Sequence, residues 1–284
     1  MTPTAAENRA WDCLRRGASA AAWLALLCLT LSRDIRAEAF SVAFQSTATP
    51  PIWGPELPGD GMGGEIVKLL SEAADVRYSI DYIPVARFRR SAASYIVGDP
   101  AILTTKKSRF VFPIALFNSS LFYYKPHQAK PLRPQLQDLS GSRLGVLRGT
   151  VEDSNYFTSH GIRVEESDSI ESLLRMLRKN RIDVCILIRL AGVYEIERIF
   201  LDDKNNFAEV AIPGTTRPIA IMLDADTAEG RAVAERYRAV MDKVLMSREY
   251  RDIIEKYYGD WGVPGNWFDA LKEFEKSYAA GAAD

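Results

Sequence analysis

The sequence predicts an α/β fold built as two similar lobes, and three observations carry that expectation. Short apolar runs of strand character alternate with amphipathic helical runs after residue 40. The strand–helix–strand unit, which implies parallel strands covered by helices, occurs twice. The 284 residues are 47% hydrophobic, with 36 basic against 37 acidic side chains, enough apolar material for one large or two smaller cores. This charge balance excludes binding to nucleic acid or acidic membrane through bulk charge. Two histidines and three scattered cysteines exclude a His/Cys zinc centre, although an all-carboxylate calcium or magnesium site would leave no such trace. No metal and no cofactor is expected.

The first 39 residues read as a secretory signal peptide. Arg9, Arg15 and Arg16 precede an apolar run from Gly17 to Leu31, and a polar stretch ends in Ala37-Glu38-Ala39. The run is shorter than the roughly 20 residues of a permanent membrane helix, and small residues at 37 and 39 suit the peptidase. Cleavage is expected after Ala39, with Ala37 as second choice; retention as an anchor is the alternative, since Arg33 and Arg36 follow the run closely. Leu27 before Cys28 argues against a lipoprotein signal. Removing residues 1–39 takes five basic and four acidic residues, leaving 31 against 33, and leaves Cys185 as the one cysteine. No intramolecular disulfide can then form, so packing must supply the stability. Cys185, inside Val184-Cys-Ile-Leu-Ile188, reads as a small buried hydrophobe. The expected location is the periplasm.

Along the mature chain, Phe40–Phe44 reads as a strand, Gly64–Ala74 as a helix with Ile66, Leu69, Leu70 and Ala73 on one face, and Arg77–Ile83 as a second strand. After a connector over Lys125–Gln137 the pattern returns: strand Arg143–Leu147, helix over residues 151–159, strand Arg163–Glu165. A helix follows with Asp168 as its cap, Glu171 at the capping-box position and Leu173, Leu174 and Leu177 inward. It leads to the buried strand Val184–Ile188. The tail reads as three helices. One opens at Asp226-Thr-Ala-Glu229 and buries Val233, Tyr237, Val240, Met241, Val244 and Leu245; the second spans Ser247–Tyr258, and the third Pro264–Tyr278 before a frayed end at Ala279–Asp284.

Motifs spread over residues 40–262 resemble those of the family 3 periplasmic solute-binding proteins, the amino-acid-type receptors of ABC importers. Pro50-Pro51-Ile52-Trp53 and Gly61-Met-Gly-Gly64-Glu-Ile-Val67 are similar to that family's first ligand loop and entry to the first helix. Pro84-Val-Ala-Arg87-Phe88 is similar to its "P-W-x-R" stretch, and Leu103-Thr-Thr-Lys-Lys-Ser-Arg109-Phe-Val-Phe112 to its "T-x-E-R" segment. Leu139-Ser-Gly141 with Leu144–Thr150, then Leu177-Arg-Lys-Asn-Arg181-Ile-Asp183, then Glu255-Lys-Tyr257 to Trp261 are similar to its later landmarks in order. The resemblance implies a type II periplasmic-binding fold, with the first lobe over residues 40–118, the second over 119–217, and a return to the first lobe with C-terminal helices over 218–284. The crossings are expected near Asn118–Phe122 and Gly214–Pro218, with a ligand cleft between the lobes closed by hinge motion.

Several side chains are candidates for that cleft. Gly149 and Thr150, at a strand-to-helix turn, suit close backbone approach and hydroxyl donation to a ligand carboxylate. The resemblance places Lys106 at the family's arginine anchor, flanked by Thr104 and Thr105. A lysine lacks the guanidinium fork, so Arg87 and Arg148 are further candidates and Arg109 a weaker one. Trp53 is the candidate aromatic wall. Arg189 stands where amino-acid receptors of the family usually carry the aspartate that holds the ligand ammonium, which points to an anionic ligand; Glu56 or Asp153 could compensate. The expected function is non-enzymatic capture of a small polar, anionic metabolite for an ABC importer, by a monomer whose partner is a membrane permease. The alternatives are a ligand-binding module for a sensor and a cyclohexadienyl-dehydratase-like enzyme using a cleft carboxylate.

Overall fold

The computed structural model describes residues 40–128, 133, 135–151, 153–259 and 266–281. The expected export signal and Trp261 lie outside the described residues. In chain order the elements are β1 (Phe40–Ser46), α1 (Gly61–Ala73), β2 (Val76–Tyr82), α2 (Val85–Phe88), β3 (Tyr95–Gly98), β4 (Arg109–Phe117) and β5 (Ser119–Tyr124). Then come β6 (Arg143–Leu147), α3 (Asn155–Thr158), β7 (Arg163–Ser167), α4 (Ile170–Arg178), β8 (Val184–Ile188), α5 (Arg189–Ile199) and β9 (Phe207–Ala211). The chain finishes with β10 (Arg217–Asp224), α6 (Ala228–Leu245), α7 (Arg248–Tyr258) and α8 (Trp267–Gly281).

These strands form two five-stranded mixed sheets, ordered β2-β1-β3-β10-β4 and β7-β6-β8-β5-β9. Both begin from a parallel pair, β1 with β2 from Phe40↔Val76 to Ser46↔Tyr82, and β6 with β7 from Arg143↔Arg163 to Leu147↔Ser167. The α/β reading therefore holds. Each lobe has its own core. Phe44, Ile66, Leu70, Ile221 and Tyr237 are fully buried in the first, where α1 and α6 cover the sheet. In the second, Leu173, Leu174 and Leu177 of α4 pack against Phe122 and Cys185. Cys185 is fully buried and burial pushes its thiol pKa up, which fits an inert packing role.

The chain leaves the first sheet at Phe117, enters the second at Ser119, and comes back between Ala211 and Arg217. The two crossings lie side by side, because Arg217 pairs with Phe117. Thr215 ties them: its Oγ1 accepts from Ser119 N at 3.1 Å and donates to Ile212 O at 2.7 Å, while Ile212 N donates to Ser119 O. Beside them Arg217 Nη1 meets Asp99 Oδ2 at 3.0 Å. Burial raises the Asp99 carboxyl against the opposing pull of that guanidinium.

Several local readings need correction. The first helix starts at Gly61, three residues early, because Met62 N and Gly63 N bond back to Pro51 O and Ile52 O. The helix expected over 151–159 shortens to α3, since Asp153 Oδ1 accepts from Asn155 N and delays its start. Asp168 does not cap α4. Ser169 does, its Oγ accepting from Ser172 N at 3.1 Å, and Glu171 pairs with Arg175 instead of closing a capping box. The last helix, expected over Pro264–Tyr278, is described over Trp267–Gly281, so it runs past Tyr278; Pro264 lies outside the described residues. Helix α5, which follows β8 with no intervening loop, carries no separate sequence signal; its Gly192 lies so close to the Phe122 ring that a Cβ would sit 2.4 Å from it. In the Leu177–Asp183 motif, Asn180 has φ +52 where the family pattern has glycine, a conformation asparagine tolerates.

Strand β4 ends one sheet, and its outward carbonyls meet tyrosines. Tyr250 Oη donates to Ile114 O at 2.7 Å and accepts from Trp267 Nε1 at 3.0 Å; Tyr258 Oη donates to Leu116 O at 2.6 Å. A buried donor or acceptor left unpaired costs about 1–3 kcal/mol. Tyr258→Phe strands one group, and should lower the unfolding free energy by about 1–2 kcal/mol. Tyr250→Phe strands two and should cost about twice as much, both read from urea unfolding.

Asp183 supplies a second test. Its carboxylate accepts from Arg143 N (2.7 Å), Nε (3.0 Å) and Nη2 (2.7 Å), and the hydrogen bonds from Arg143 hold its pKa below the ordinary value. A depressed native pKa gives stability that is present above the unfolded-state value of about 3.9 and is lost as pH falls through the native value. Acid titration should therefore show Asp183→Asn less stable than the parent at pH 7, with the gap narrowing below pH of about 4.

Candidate interlobe ligand site

In an open α/β sheet, ligands bind outside the carboxyl ends of parallel strands. Here both parallel pairs open toward one cavity of about 660 Å³. The first lobe lines it with Thr47, Ala48, Thr49 and Pro50 after β1, and with Tyr82 to Ala86 after β2. The second lobe contributes Leu147 and Arg148 after β6, Asp168 to Glu171 after β7, and Glu195 and Arg198 from α5. The volume suits a small polar metabolite.

The lobes touch beside this cavity. Arg89 Nη1 donates to Gly149 O at 3.0 Å across 60 residues of chain. Gly149 has φ +83, and a Cβ on it would stand 3.0 Å from Ala86 Cα. Only glycine lets the β6 turn rest on α2 in this way.

Opposed charges face the cavity, and each guanidinium already has carboxylate partners. Arg148 donates to Asp168 at 2.7 Å through Nε and to Glu166 at 2.8 Å through Nη1. The Asp168 hydrogen bond raises the Arg148 pKa. Arg198 Nη2 pairs with Glu195 at 2.7 Å and reaches Glu171 at 3.5 Å. The lining thus holds two guanidiniums and three carboxylates. Glu195 is nearly buried, its side chain 8% exposed, whereas Asp168 is 81% exposed and keeps lone pairs free for a ligand. Tyr82 Oη is buried and faces Asp60; burial first, and then the Asp60 carboxylate, push its phenol above the usual range.

Of the residues expected from sequence, the structure brings Arg148, Gly149 and Thr150 together in one turn, and only Arg148 lines the cavity. Gly149, expected to approach a ligand, rests instead on Ala86 of the other lobe. Thr150 Oγ1 donates to Leu147 O at 2.7 Å, closing the turn. Arg87 is exposed on α2, next to the lining residue Ala86. The other candidates lie elsewhere. Trp53 is 3% exposed in the first core, its indole against Gly63, where a Cβ would stand 2.4 Å from the ring; it is no cleft wall.

Thr104 and Thr105 donate to Arg89 O and Ser91 O, pinning residues 104–109 along residues 89–93, and Lys106 is exposed on that segment. Arg109 Nη1 joins the same arrangement through Ala93 O. Arg189 is the first residue of α5 and pairs with Glu209 at 2.6 Å, away from the cavity lining. Glu56 and Asp153 are exposed and do not line it either. Thr47, Thr49, Tyr82, Asp168, Ser169 and Glu171 were missed, although their position just past parallel strand ends was a usable signal. Glu195 and Arg198, in the later half of α5, gave none.

No family model matches the chain, and no curated protein is similar to it. Solved structures are. An ancestral arginine-binding protein bound to arginine superposes with TM-score 0.60 at 13% identity, covering 77% of this chain and 98% of that one. The chain has the two-lobed type II periplasmic-binding fold. A substrate-binding protein of an ABC uptake transporter from Streptococcus pneumoniae, with bound histidine, gives 0.59 at 12% identity, over 78% of this chain and 93% of that one. A histidine kinase sensor domain with similarity to periplasmic binding proteins gives 0.57 at 15% identity, over 78% and 96%. The periplasmic-binding fold thus accounts for the paired crossings and for a cavity shared between lobes.

Substituting Gly149 separates lobe contact from the rest of the fold. Gly149→Val places a branched side chain on Ala86 at a φ disfavoured by roughly 1–2 kcal/mol for L-residues. Small-angle scattering should then show a larger radius of gyration than the parent, with far-UV circular dichroism unchanged; equal radii would mean that the turn does not hold the lobes together.

Proposed function

We propose that this protein is an exported solute-binding protein that captures a small polar molecule between its lobes and presents the closed form to a membrane permease of an ABC importer. The observation that carries this reading is the cavity between the carboxyl ends of two parallel strand pairs, one from each lobe, beside crossings about which the lobes can close. The solved neighbours that bind arginine and histidine support it. Binding needs no catalytic group, and the acids considered for a dehydratase, Glu56 and Asp153, are not at the cavity.

The expectation of an anionic ligand rested on Arg189, whose charge is met by Glu209 outside the cavity. The lining favours instead a ligand with a cationic group, for which Asp168 is the most accessible partner. Export rests on the N-terminal sequence, and the secreted protein should begin at Phe40 by intact mass. A sensor input module is a second reading, favoured by the kinase sensor domain among the neighbours; co-purification with a permease or with a sensor kinase separates the two.

The ligand class is tested by a thermal-shift screen of the protein against amino acids, amines and organic acids. A ligand at 100 times its Kd adds about 2.7 kcal/mol, a shift of roughly 5–10 °C for a chain of this size. Compounds with an ammonium or guanidinium should give that shift, and Asp168→Asn should weaken their binding about tenfold. A response to organic acids alone would restore the anionic ligand, and no response to any class would sink the receptor reading.

A further inference from the structure

The interlobe cavity is walled by two chemically different halves. Among the described residues, the first lobe brings no charged side chain to it, and Pro50, Ile83, Pro84 and Val85 give it an apolar face. The second lobe supplies every charge: the carboxylates of Asp168, Glu171 and Glu195 and the guanidiniums of Arg148 and Arg198. A ligand spanning the cavity therefore meets charge at one end and apolar surface at the other.

The charged half offers a carboxylate no ready anchor. Burying a carboxylate is costly unless donors meet it, and the donors here are engaged. Arg148 turns Nε to Asp168 and Nη1 to Glu166, while Arg198 gives Nε and Nη2 to Glu195. In the turn after β6, Arg148 N donates to Ser167 O at 2.8 Å, and Thr150 directs both N and Oγ1 to Leu147 O. At the start of α4, Ser169 takes Ser172 N through Oγ and Leu173 N through its carbonyl. Asp168 and Glu171 flank that helix end and repel an approaching anion. The first lobe does not compensate. Pro50 and Pro84 have no N–H, and neither Arg87, exposed on α2, nor Arg89, which bonds Gly149 O, lines the cavity.

A cation meets the opposite situation. Glu171 is shared by Arg175 and Arg198, but Asp168 is 81% exposed and Arg148 holds its Oδ1, which leaves Oδ2 to a ligand ammonium. We propose that this site selects an amine that has an apolar body and lacks a carboxylate, with its ammonium at Asp168 and its body against Pro50, Ile83, Pro84 and Val85. This rests on the reading of the interlobe cavity as the ligand site.

Three compounds with one phenyl body test it: 2-phenylethylamine, phenylalanine and 3-phenylpropionate. Calorimetric titration of the unaltered protein should show saturable binding of the amine, at least tenfold weaker binding of phenylalanine and no saturable binding of the acid. Ethanolamine, which keeps the ammonium without the apolar body, should bind at least tenfold more weakly than 2-phenylethylamine. Asp168→Asn removes the acid and releases Arg148 Nε, so it should narrow the margin between amine and phenylalanine severalfold. Phenylalanine binding as tightly as the amine would overturn the exclusion of a carboxylate, and equal affinity for the two amines would overturn the apolar contact. A margin unchanged in a folded Asp168→Asn would overturn the placement of the ammonium. No saturable binding of 2-phenylethylamine would overturn the proposal as a whole, whereas a thermal shift with any other class of compound would still keep the receptor reading, so the two failures are distinguishable. The ligand comparisons use the unaltered protein, and a misfolded variant therefore does not leave the question open.

Discussion

Everything in this molecule that bears on ligand capture hangs on two short crossings held against each other. Strands β4 and β5 are separated by one residue, Asn118, and the return from β9 to β10 is pinned to them through Thr215 and the Arg217–Phe117 pair. Each lobe has its own buried core, with Ile188 and Leu190 of the second lobe reaching the first, and the covalent paths between the lobes are few and adjacent. Motion of one lobe against the other can then be absorbed by a few backbone dihedrals at the crossings. The cavity sits where such motion changes its width.

A charged cleft at such a hinge has to solve an electrostatic problem before a ligand arrives. Arg148 and Arg198 are held by carboxylates of their own lobe, which fixes the guanidiniums and prevents them from acting as bare anion traps. What remains available is the outer oxygen set of exposed Asp168 and the Thr47–Thr49 loop. The same device appears beside α5, where Arg189 pairs with Glu209. In both places a charge that looks like a recognition element in the linear sequence has a partner brought from elsewhere in the lobe.

How far the sequence could be read depended on the range of the interaction concerned. Strands Arg143–Leu147 and Val184–Ile188 and the apolar face of α4 were legible because hydrophobic periodicity is a local signal, set by neighbours a few residues apart. The Gly149 turn was legible for a similar reason. Trp53 was misjudged because whether an aromatic residue is wall or core depends on Gly63, whose missing side chain makes room for the indole. The cap of α4 went to Ser169 and not Asp168, since the helix begins at Ile170 and Ser169 is the extended residue directly before it.

By itself the sequence determined the alternation of strands and helices, the two-lobed α/β plan and the turn at Gly149, all consequences of local pattern and of side-chain types that each backbone conformation tolerates. Tertiary structure alone decided which charges face the cavity, because a contact ion pair needs its partners within about 4 Å and that distance is set by folding residues far apart in the chain. Arg189 is the plainest case: as a letter after a buried strand it signalled an anion, and in the folded lobe it pairs with Glu209, twenty residues away.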